Sequence, residues 1–148
     1  MENLHKIFNS GVRMVSSPEE MRRLGMLLAE VLQPGQVVGL VGDLGAGKTH
    51  LVQGILEGLG AGNPGVSPTF SLVHEHSDAR IPVCHFDFYR MESPEELLAI
   101  GWDEYLERGD LILAEWANRF DGSMMPVDTV WLLLEHAAEG VRTVSLAV

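Results

Sequence analysis

Residues Val38 to Gly54 have the sequence VGLVGDLGAGKTHLVQG, and this stretch decides the fold class of the chain. Within it, residues Gly42 to Thr49 match the pattern G-x-x-x-x-G-K-[ST] without interruption. An apolar run predicts a strand directly before the match, and apolar residues at helical spacing predict a helix directly after it. A glycine-rich loop in this context binds phosphate groups, so the stretch predicts a phosphate-binding loop in an α/β fold.

The residue types in this loop suit an anion. Its glycines permit backbone angles that other residues avoid, so that successive N–H groups can turn towards a phosphate. The start of the following helix adds a partial positive charge. Lys48 can reach the β- and γ-phosphates of a nucleotide, and the Thr49 hydroxyl can bind Mg²⁺. The predicted nucleotide-binding residues of the loop are Gly42, Asp43, Leu44, Gly45, Ala46, Gly47, Lys48 and Thr49.

Two further helix starts share one four-residue sequence, Ser-Pro-Glu-Glu, at 17–20 and 93–96. Each offers an N-cap serine, a proline at the first helical position and a glutamate three residues after the cap. The first predicted helix ends near Gln33-Pro34-Gly35. The second runs to Gly101 and is followed by a short turn or helix in WDEYLERG.

Seven β-branched or apolar runs predict strands. They are Val12–Val15, Gln36–Val41, Phe70–His76, Pro82–Phe88, Leu111–Trp116, Thr129–Glu135 and Val141–Val148. The last two flank HAAEG and predict a hairpin, while the continuously apolar LILAEW predicts a strand covered on both faces. Strands interleaved with helices predict an α/β fold of the P-loop NTPase type. This is a three-layer sandwich whose sheet has a parallel centre, antiparallel marginal strands and a C-terminal hairpin.

Length and composition place the chain among globular proteins. Its 148 residues predict a single domain spanning 1–148. The apolar runs are too short for a membrane span, and the first ten residues lack the apolar region of a signal peptide. The single cysteine, Cys84, excludes an intrachain disulfide and is interpreted as a packing residue of a strand. We therefore expect a cytoplasmic protein without a membrane partner.

The charge balance argues against direct binding of nucleic acid. The net charge is −11, and the densest basic group, Arg22-Arg23, fits the solvated side of a helix. Proteins that bind DNA or RNA usually carry a clustered basic patch, so we expect no DNA partner and no direct binding of RNA. An acidic surface is better suited to a protein partner, which net charge alone cannot identify.

A phosphate-binding loop needs an acidic partner at a strand end to organise its metal ion, and two carboxylates compete for this role. Glu115 ends the apolar strand LILAE, and Asp87 ends VCHFD. Carboxyl ends of strands lie at the ligand edge of an α/β sheet. Each residue has an alternative interpretation as an ordinary strand-end carboxylate or helix cap.

Taken together, several motifs resemble the TsaE family, a group of small bacterial ATPases. These are the loop and its helix, followed by VSPTFSLVHEH, HFDFYRMESPEELLAIGWDEYL and LILAEW. The resemblance runs from about Ser17 to the C-terminal GVRTVSLAV. It implies an ATPase that takes part in forming threonylcarbamoyladenosine beside the anticodon of tRNA. It also implies a partner complex of two related proteins, TsaB and TsaD, which carries out the transfer to tRNA and is reset by ATP hydrolysis in this chain.

The resemblance assigns roles to individual residues. It implies that Lys48 binds the phosphates of ATP or ADP, that Thr49 holds Mg²⁺ and that Glu115 is the acidic metal partner. It makes Asp87 a carboxylate needed for hydrolysis, directed at the metal or at water. Thr69 is implied to lie on a loop that faces the γ-phosphate, as in a switch that rearranges on hydrolysis. Its sequence context, Ser67-Pro68-Thr69, also fits a simple turn into a strand.

Three more residues match family positions around the nucleotide. Trp116 is implied to lie over the nucleotide or at a partner surface, with a buried core tryptophan as the alternative. Ser17 and Arg142 match positions near the adenine and in the C-terminal strand. A helix cap fully explains Ser17 without a ligand.

The chain departs from the family pattern in two places. Ala117-Asn118 follows Glu-Trp where the family usually has Pro-Glu, which puts in doubt a contact made just after the metal carboxylate. His50 replaces a threonine after the loop, and we expect this change to be neutral. His74, His76 and His85 lack a ligand of recognisable spacing to complete a zinc site, so they are interpreted as structural or partner-facing residues.

Two other functions fit the loop alone. A small-molecule kinase uses the same phosphate loop but needs a lid and arginine clamps, for which Arg90 and Arg119 are the available candidates. A nucleotide-gated binding module uses it without cleaving ATP. We expect the ATPase to be slow alone, because a phosphate-loop site without its positioning partner is slow.

Overall fold

The computed structural model describes residues 2–9, 11–43, 45–62 and 72–147. Each predicted strand corresponds to an observed one, and residues 70, 71 and 148 of the predicted strands lie outside the described residues. The elements in chain order are α1 (Glu2–Ile7), β1 (Val12–Val15), α2 (Pro18–Val31), β2 (Val37–Val41), α3 (Lys48–Gly58), β3 (Val73–His76), β4 (Val83–Asp87), a 3₁₀ helix (Phe88–Arg90), α4 (Pro94–Ala99), α5 (Trp102–Arg108), β5 (Leu111–Glu115), β6 (Val130–Ala138) and β7 (Val141–Ala147).

These strands form one sheet in the order β1-β7-β6-β2-β5-β4-β3. Its centre is parallel, since β2 pairs in parallel with β5 and β6, and β4 pairs in parallel with β5. The remaining pairs, β1 with β7, β6 with β7 and β3 with β4, are antiparallel. This confirms the predicted sheet and its C-terminal hairpin. The carboxyl ends of β2, β4 and β5 consequently meet at one edge.

Helices cover both faces of the centre of the sheet. Strand β5 is buried at every residue, as its continuous apolar sequence predicts. Its neighbouring residues belong to different hydrophobic clusters, because side chains alternate across a strand. Leu113 packs in one cluster with Leu28 of α2 and Leu51 of α3. Ile112 packs in the other with Trp102 of α5. The arrangement is the predicted three-layer sandwich.

The two predicted helix caps behave differently. The Ser17 hydroxyl accepts a hydrogen bond from the N–H of Glu20 at 3.1 Å, as a capping serine should. Ser93 occupies the equivalent place before α4, but within the described ranges its side chain makes no capping hydrogen bond. The Glu96 carboxylate instead accepts from the N–H of Glu92 at 2.9 Å. No helix among the described residues is long and apolar enough to cross a membrane.

Helix α1 was not predicted from the sequence. Leu4 and Phe8, one helical turn apart, are 1% and 2% exposed and join the cluster that contains Leu28. The spacing of Leu4, Ile7 and Phe8 was the available signal. Six residues are too short a helix for that signal to stand out, because a helix of this length depends on tertiary packing.

The single cysteine is expected to resist thiol reagents in the native protein. Cys84 is fully buried in β4, and its thiol donates to Asp110 Oδ2 at 3.4 Å. Burial and that carboxylate raise the pKa of the thiol to about 12. Because the thiolate is the reactive form, Ellman's reagent at about pH 8 should label the native chain far more slowly than the urea-unfolded chain. Equal labelling rates would contradict the buried position.

Candidate functional site

A cavity of about 640 Å³ opens where the carboxyl ends of the parallel strands meet. Its size lies within the range of small-molecule sites, about 300–1,000 Å³. Most of the residues predicted to bind nucleotide or metal line it. They are Ser17, Gly45, Gly47, Lys48, Thr49, Asp87, Glu115, Trp116 and Arg142. The fold therefore brings together residues that are separated by up to 125 positions in the sequence (142 − 17 = 125).

The backbone of the loop has the shape that a phosphate site needs. Gly45 and Gly47 adopt positive φ angles of 80° and 100°, which strain other residues. Gly47 precedes α3, whose first N–H groups are free of a side-chain cap among the described residues. Gly42 does not share this feature, because its φ is not positive. Its constraint is steric: a Cβ there would lie 2.5 Å from the Leu134 carbonyl oxygen.

Lys48 folds back over its own loop. Its Nζ donates to the carbonyl oxygen of Gly42 and, at 2.9 Å, to that of Asp43. The same ammonium lies 4.4 Å from the centroid of the Trp116 ring. Burial lowers the pKa of Lys48, and the charges of Glu115, Asp43 and Asp87 oppose that shift. The Lys48 side chain therefore lies at the cavity wall among acidic groups.

The two predicted carboxylates are direct neighbours. Asp87 and Glu115 are paired in the parallel register of β4 and β5, so their side chains extend from the same face of the sheet. Burial raises the pKa of Asp87, and the Glu115 charge adds to the rise. Asp87 Oδ1 accepts from the N–H of Tyr89 at 3.0 Å, and Oδ2 lies 3.9 Å from Arg90 Nε. From the loop and strand patterns, Asp87 and Glu115 were alternatives for the acidic partner of the metal ion, whereas in the fold they lie side by side.

His85 is a site-adjacent residue whose role the sequence did not reveal. Its Nε2 lies 2.6 Å from Glu115 Oε2, and both side chains are buried. The available signal was its position two residues before Asp87 on one strand, which places both residues on the same face. Among the described residues, no group of three or more His, Cys, Asp or Glu side chains is placed to hold a metal ion. The contact that the structure gives His85 is therefore with Glu115, a carboxylate that lines the cavity.

Trp116 lies in the cavity wall and not in the closed core. Its φ of 57° ends β5 one residue earlier than predicted, since a left-handed residue cannot continue a strand. Its ring centroid lies 4.8 Å from that of Tyr89, which is half exposed and also lines the cavity. Tyr89 and Arg90 belong to the stretch HFDFYR, in which no sequence feature separately predicts that Tyr89 lies at the site.

The start of α2 and the C-terminal hairpin form a further part of the cavity wall. Ser17, Met21, Gly140 and Arg142 contribute to it. Arg142 Nε donates to the Gly45 carbonyl oxygen at 3.1 Å, which ties β7 to the phosphate loop. Ser17 lines the cavity while its hydroxyl caps α2, so a cap and a position at the site coexist.

The remaining predicted residues lie elsewhere. Gly42, Asp43 and Ala46 shape the loop but are not among the residues that line the cavity. Leu44 and Thr69 fall outside the residues described, so their predicted contacts with the phosphates stay predictions. Ala117 is buried, and its N–H lies 3.3 Å from the Leu40 carbonyl oxygen. The family's usual proline at this place has no N–H to donate.

Comparison with known proteins places this site in a family. The family model described as "Threonylcarbamoyl adenosine biosynthesis protein TsaE" matches residues 15–144. The chain belongs to the TsaE family. The matched region contains the phosphate loop, both carboxylates and Arg142, so the TsaE match covers the entire cavity wall.

Individual relatives agree with the family match. A Nostoc protein is 40% identical over 146 residues, which covers 96% of this chain and 85% of the relative. A Bacillus subtilis protein is 37% identical over 129 residues, covering 87% and 80%. Both are named tRNA threonylcarbamoyladenosine biosynthesis protein TsaE. The crystal structure of Bacillus subtilis YdiB superimposes with a TM-score of 0.75 at 31% identity, covering 91% of this chain and 82% of that one. These similarities confirm the predicted family and fold class.

Proposed function

We propose that this TsaE-family chain binds and hydrolyses ATP as an accessory protein of tRNA threonylcarbamoyladenosine biosynthesis. The observation that carries the proposal is the convergence of the phosphate loop, Lys48 and two neighbouring carboxylates on one cavity. The glycine-rich backbone and the start of α3 provide N–H donors for the phosphates. Lys48 exchanges its contacts with loop carbonyls for contacts with phosphate oxygens. We assign the base and ribose to the part of the cavity lined by Ser17 and Arg142, as the family resemblance implies.

The same cavity suits Mg²⁺. Thr49, Asp87 and Glu115 offer a hydroxyl and two carboxylates, the hard oxygen ligands that Mg²⁺ prefers. The charge of Glu115 contributes to the raised pKa of Asp87, and this repulsion is relieved by a cation between them. Thr49 and Glu115 are the ligands we assign, with Asp87 either a third ligand or a partner of the attacking water. When bound, Mg²⁺ neutralises charge that develops on the β- and γ-phosphate oxygens.

Hydrolysis needs a water molecule held in line with the γ-phosphate and charge stabilisation at the leaving oxygen. Asp87 lies at the carboxylate end of the cavity, where it can orient that water. Its contacts with the Tyr89 N–H and with Arg90 hold the carboxylate in one place. Lys48 stabilises the charge on the departing ADP. In this proposal the γ-phosphate is transferred to water and not to an acceptor molecule.

Neutralising either carboxylate is expected to remove hydrolysis without unfolding the protein. Asp87→Asn and Glu115→Gln should each lower the rate of phosphate release by about 100-fold or more. Burial raises the pKa of Asp87 in the folded protein. Ionising this carboxylate therefore costs the fold stability that a neutral amide does not lose. Asp87→Asn should therefore leave thermal stability near pH 7 unchanged or higher. The measurements are phosphate release and the unfolding midpoint.

The control is Glu95→Gln, which changes an exposed carboxylate on α4 that does not line the cavity. It should leave both phosphate release and the unfolding midpoint unchanged.

A separate experiment distinguishes hydrolysis from transfer to an acceptor. When the wild-type chain is incubated with γ-labelled ATP and a metabolite extract, the label should appear as inorganic phosphate. Transfer of the label to an acceptor would contradict hydrolysis and favour a kinase.

The proposed partner is a TsaB–TsaD-like complex, which carries out the transfer to tRNA and is reset by ATP hydrolysis in this chain. Two features support a protein partner over direct contact with tRNA. The net charge of −11 repels a polyanion, and the half-exposed Tyr89 beside Trp116 offers an aromatic surface at the cavity mouth. ATP turnover should be slow in the isolated chain and faster with the complex and tRNA.

A further inference from the structure

His85 and Glu115 form a closely paired buried contact beside the cavity. His85 Nε2 and Glu115 Oε2 are 2.6 Å apart, and the two side chains are 2% and 8% exposed. The register of β4 and β5 explains the geometry. His85 lies opposite Leu113, two residue pairs before Asp87 and Glu115 and therefore on the same face of the sheet. The contact is thus built into two central strands, not into a loop.

The proposed metal role of Glu115 assigns the hydrogen of this contact to His85. A carboxylate that binds a metal ion accepts hydrogen bonds and donates none, so Nε2 must be the donor. The other ring nitrogen, Nδ1, is buried and has no hydrogen-bond partner within the part of the chain described. A buried nitrogen without a partner is tolerated best as a bare acceptor, because an unpaired N–H donor costs more. The imidazole therefore presents one N–H, and that N–H is directed at Glu115.

The contact occupies one oxygen of Glu115 and leaves the other available. Oε2 accepts from His85, whereas Oε1 makes no hydrogen bond to any residue described. Lys48 and Asp87 line the same cavity. The charge of Lys48 attracts the Glu115 carboxylate, and the charge of Asp87 repels it. Without a fixed donor, the Glu115 side chain is free to turn towards Lys48. The buried histidine removes that freedom.

We propose that His85 is a positioning residue that orients the Glu115 carboxylate for Mg²⁺, a role that rests on the proposed function. His85 does not touch nucleotide or metal; it acts through Glu115. Residues that orient metal ligands by hydrogen bonds typically change metal affinity by about 10- to 100-fold when they are removed. The loss should appear in the affinity for Mg²⁺ and not in the affinity of the loop for the phosphates, because His85 makes no hydrogen bond to the described residues of the loop.

The test compares His85→Leu, which keeps the apolar volume but has no donor, with His85→Gln, whose side-chain amide can place an N–H near the position of Nε2. For each variant and the wild type, ADP affinity is measured by calorimetry in EDTA and then across a Mg²⁺ titration at one pH. We expect similar ADP affinity in EDTA for all three. The Mg²⁺ concentration for half-maximal effect should rise about 10- to 100-fold in His85→Leu and return to within a few-fold of wild type in His85→Gln.

An equal Mg²⁺ shift in both variants would mean that His85 only fills space, and no shift in either would mean that Glu115 needs no positioning. Both results overturn the proposal. If the wild type itself bound ADP without any effect of Mg²⁺, the proposed function would fail first.

A second measurement does not depend on the stability of a variant. A long-range ¹H–¹⁵N spectrum of the wild-type chain should show the His85 proton on Nε2 and a bare Nδ1, and a proton on Nδ1 with a bare Nε2 would overturn the proposal.

Discussion

Replacing Lys48 with alanine is expected to lower ATP hydrolysis by at least about 100-fold and to weaken nucleotide binding. The ammonium is the cation that the cavity wall holds beside the phosphate loop, within reach of Glu115 and Asp87. Without it, the two carboxylates face the phosphates with no lysine to offset their charge. Phosphate release and the affinity for ADP, measured by calorimetry, are the two readouts.

The matched control is Lys6→Ala, because Lys6 is the other lysine of the chain and lies exposed on α1. It should leave hydrolysis and binding unchanged. Lys48 also hydrogen-bonds to the carbonyls of Gly42 and Asp43, so a circular dichroism spectrum must show that the variant is folded. Wild-type hydrolysis by a folded Lys48→Ala variant would contradict the proposed role of the loop lysine in ATP hydrolysis.

Replacing Gly54 with alanine is expected to destabilise the protein by about 2–3 kcal/mol or more. Helices α2 and α3 approach each other closely at Gly25 and Gly54. A Cβ on Gly54 would lie 2.1 Å from the Arg22 carbonyl oxygen, and one on Gly25 would lie 2.4 Å from that of Leu51. Both obstacles are backbone atoms, so one helix must shift as a whole. Urea unfolding followed by circular dichroism measures the loss.

The sign of this effect separates packing from helix propensity. In an unobstructed helix, glycine to alanine stabilises by about 0.5–1 kcal/mol, so a loss has to come from the crossing of the helices. Gln53→Ala, one residue earlier on α3, is the control and should change stability by less than about 0.5 kcal/mol. Because α3 carries Lys48 and Thr49, Gly54→Ala should also weaken ADP binding. A gain in stability would contradict the close approach.

The sheet was predictable because its strands carry their signals locally. Strand β5 is continuously apolar since it is buried on both faces, and the glycine-rich loop marks the turn from β2 into α3. Strand order is less local, but parallel pairing at the centre follows from the alternation of strands and helices. Helix α1 escaped prediction because its six residues become helical by packing Leu4 and Phe8 on the core.

The site was predictable in its residue types and less so in its contacts. Strand ends placed Asp87 and Glu115 at one edge of the sheet, yet only the register of β4 and β5 makes them neighbours. The contact between His85 and Glu115 joins residues 30 positions apart, and no local pattern records it. Tyr89 lines the cavity because the chain turns into a 3₁₀ helix after Asp87. The apolar sequence there predicts a strand that continues to Phe88, so it does not predict this turn.

The central claim is that ATP hydrolysis at this site sustains tRNA modification by the proposed partner complex. The most direct measurement counts threonylcarbamoyladenosine formed per complex, with wild-type chain, with Asp87→Asn or without the chain. We predict many modified tRNA molecules per complex with the wild type, and about one with Asp87→Asn or without the chain, because the complex is then not reset. Equal multiple turnover in all three reactions would contradict the claim.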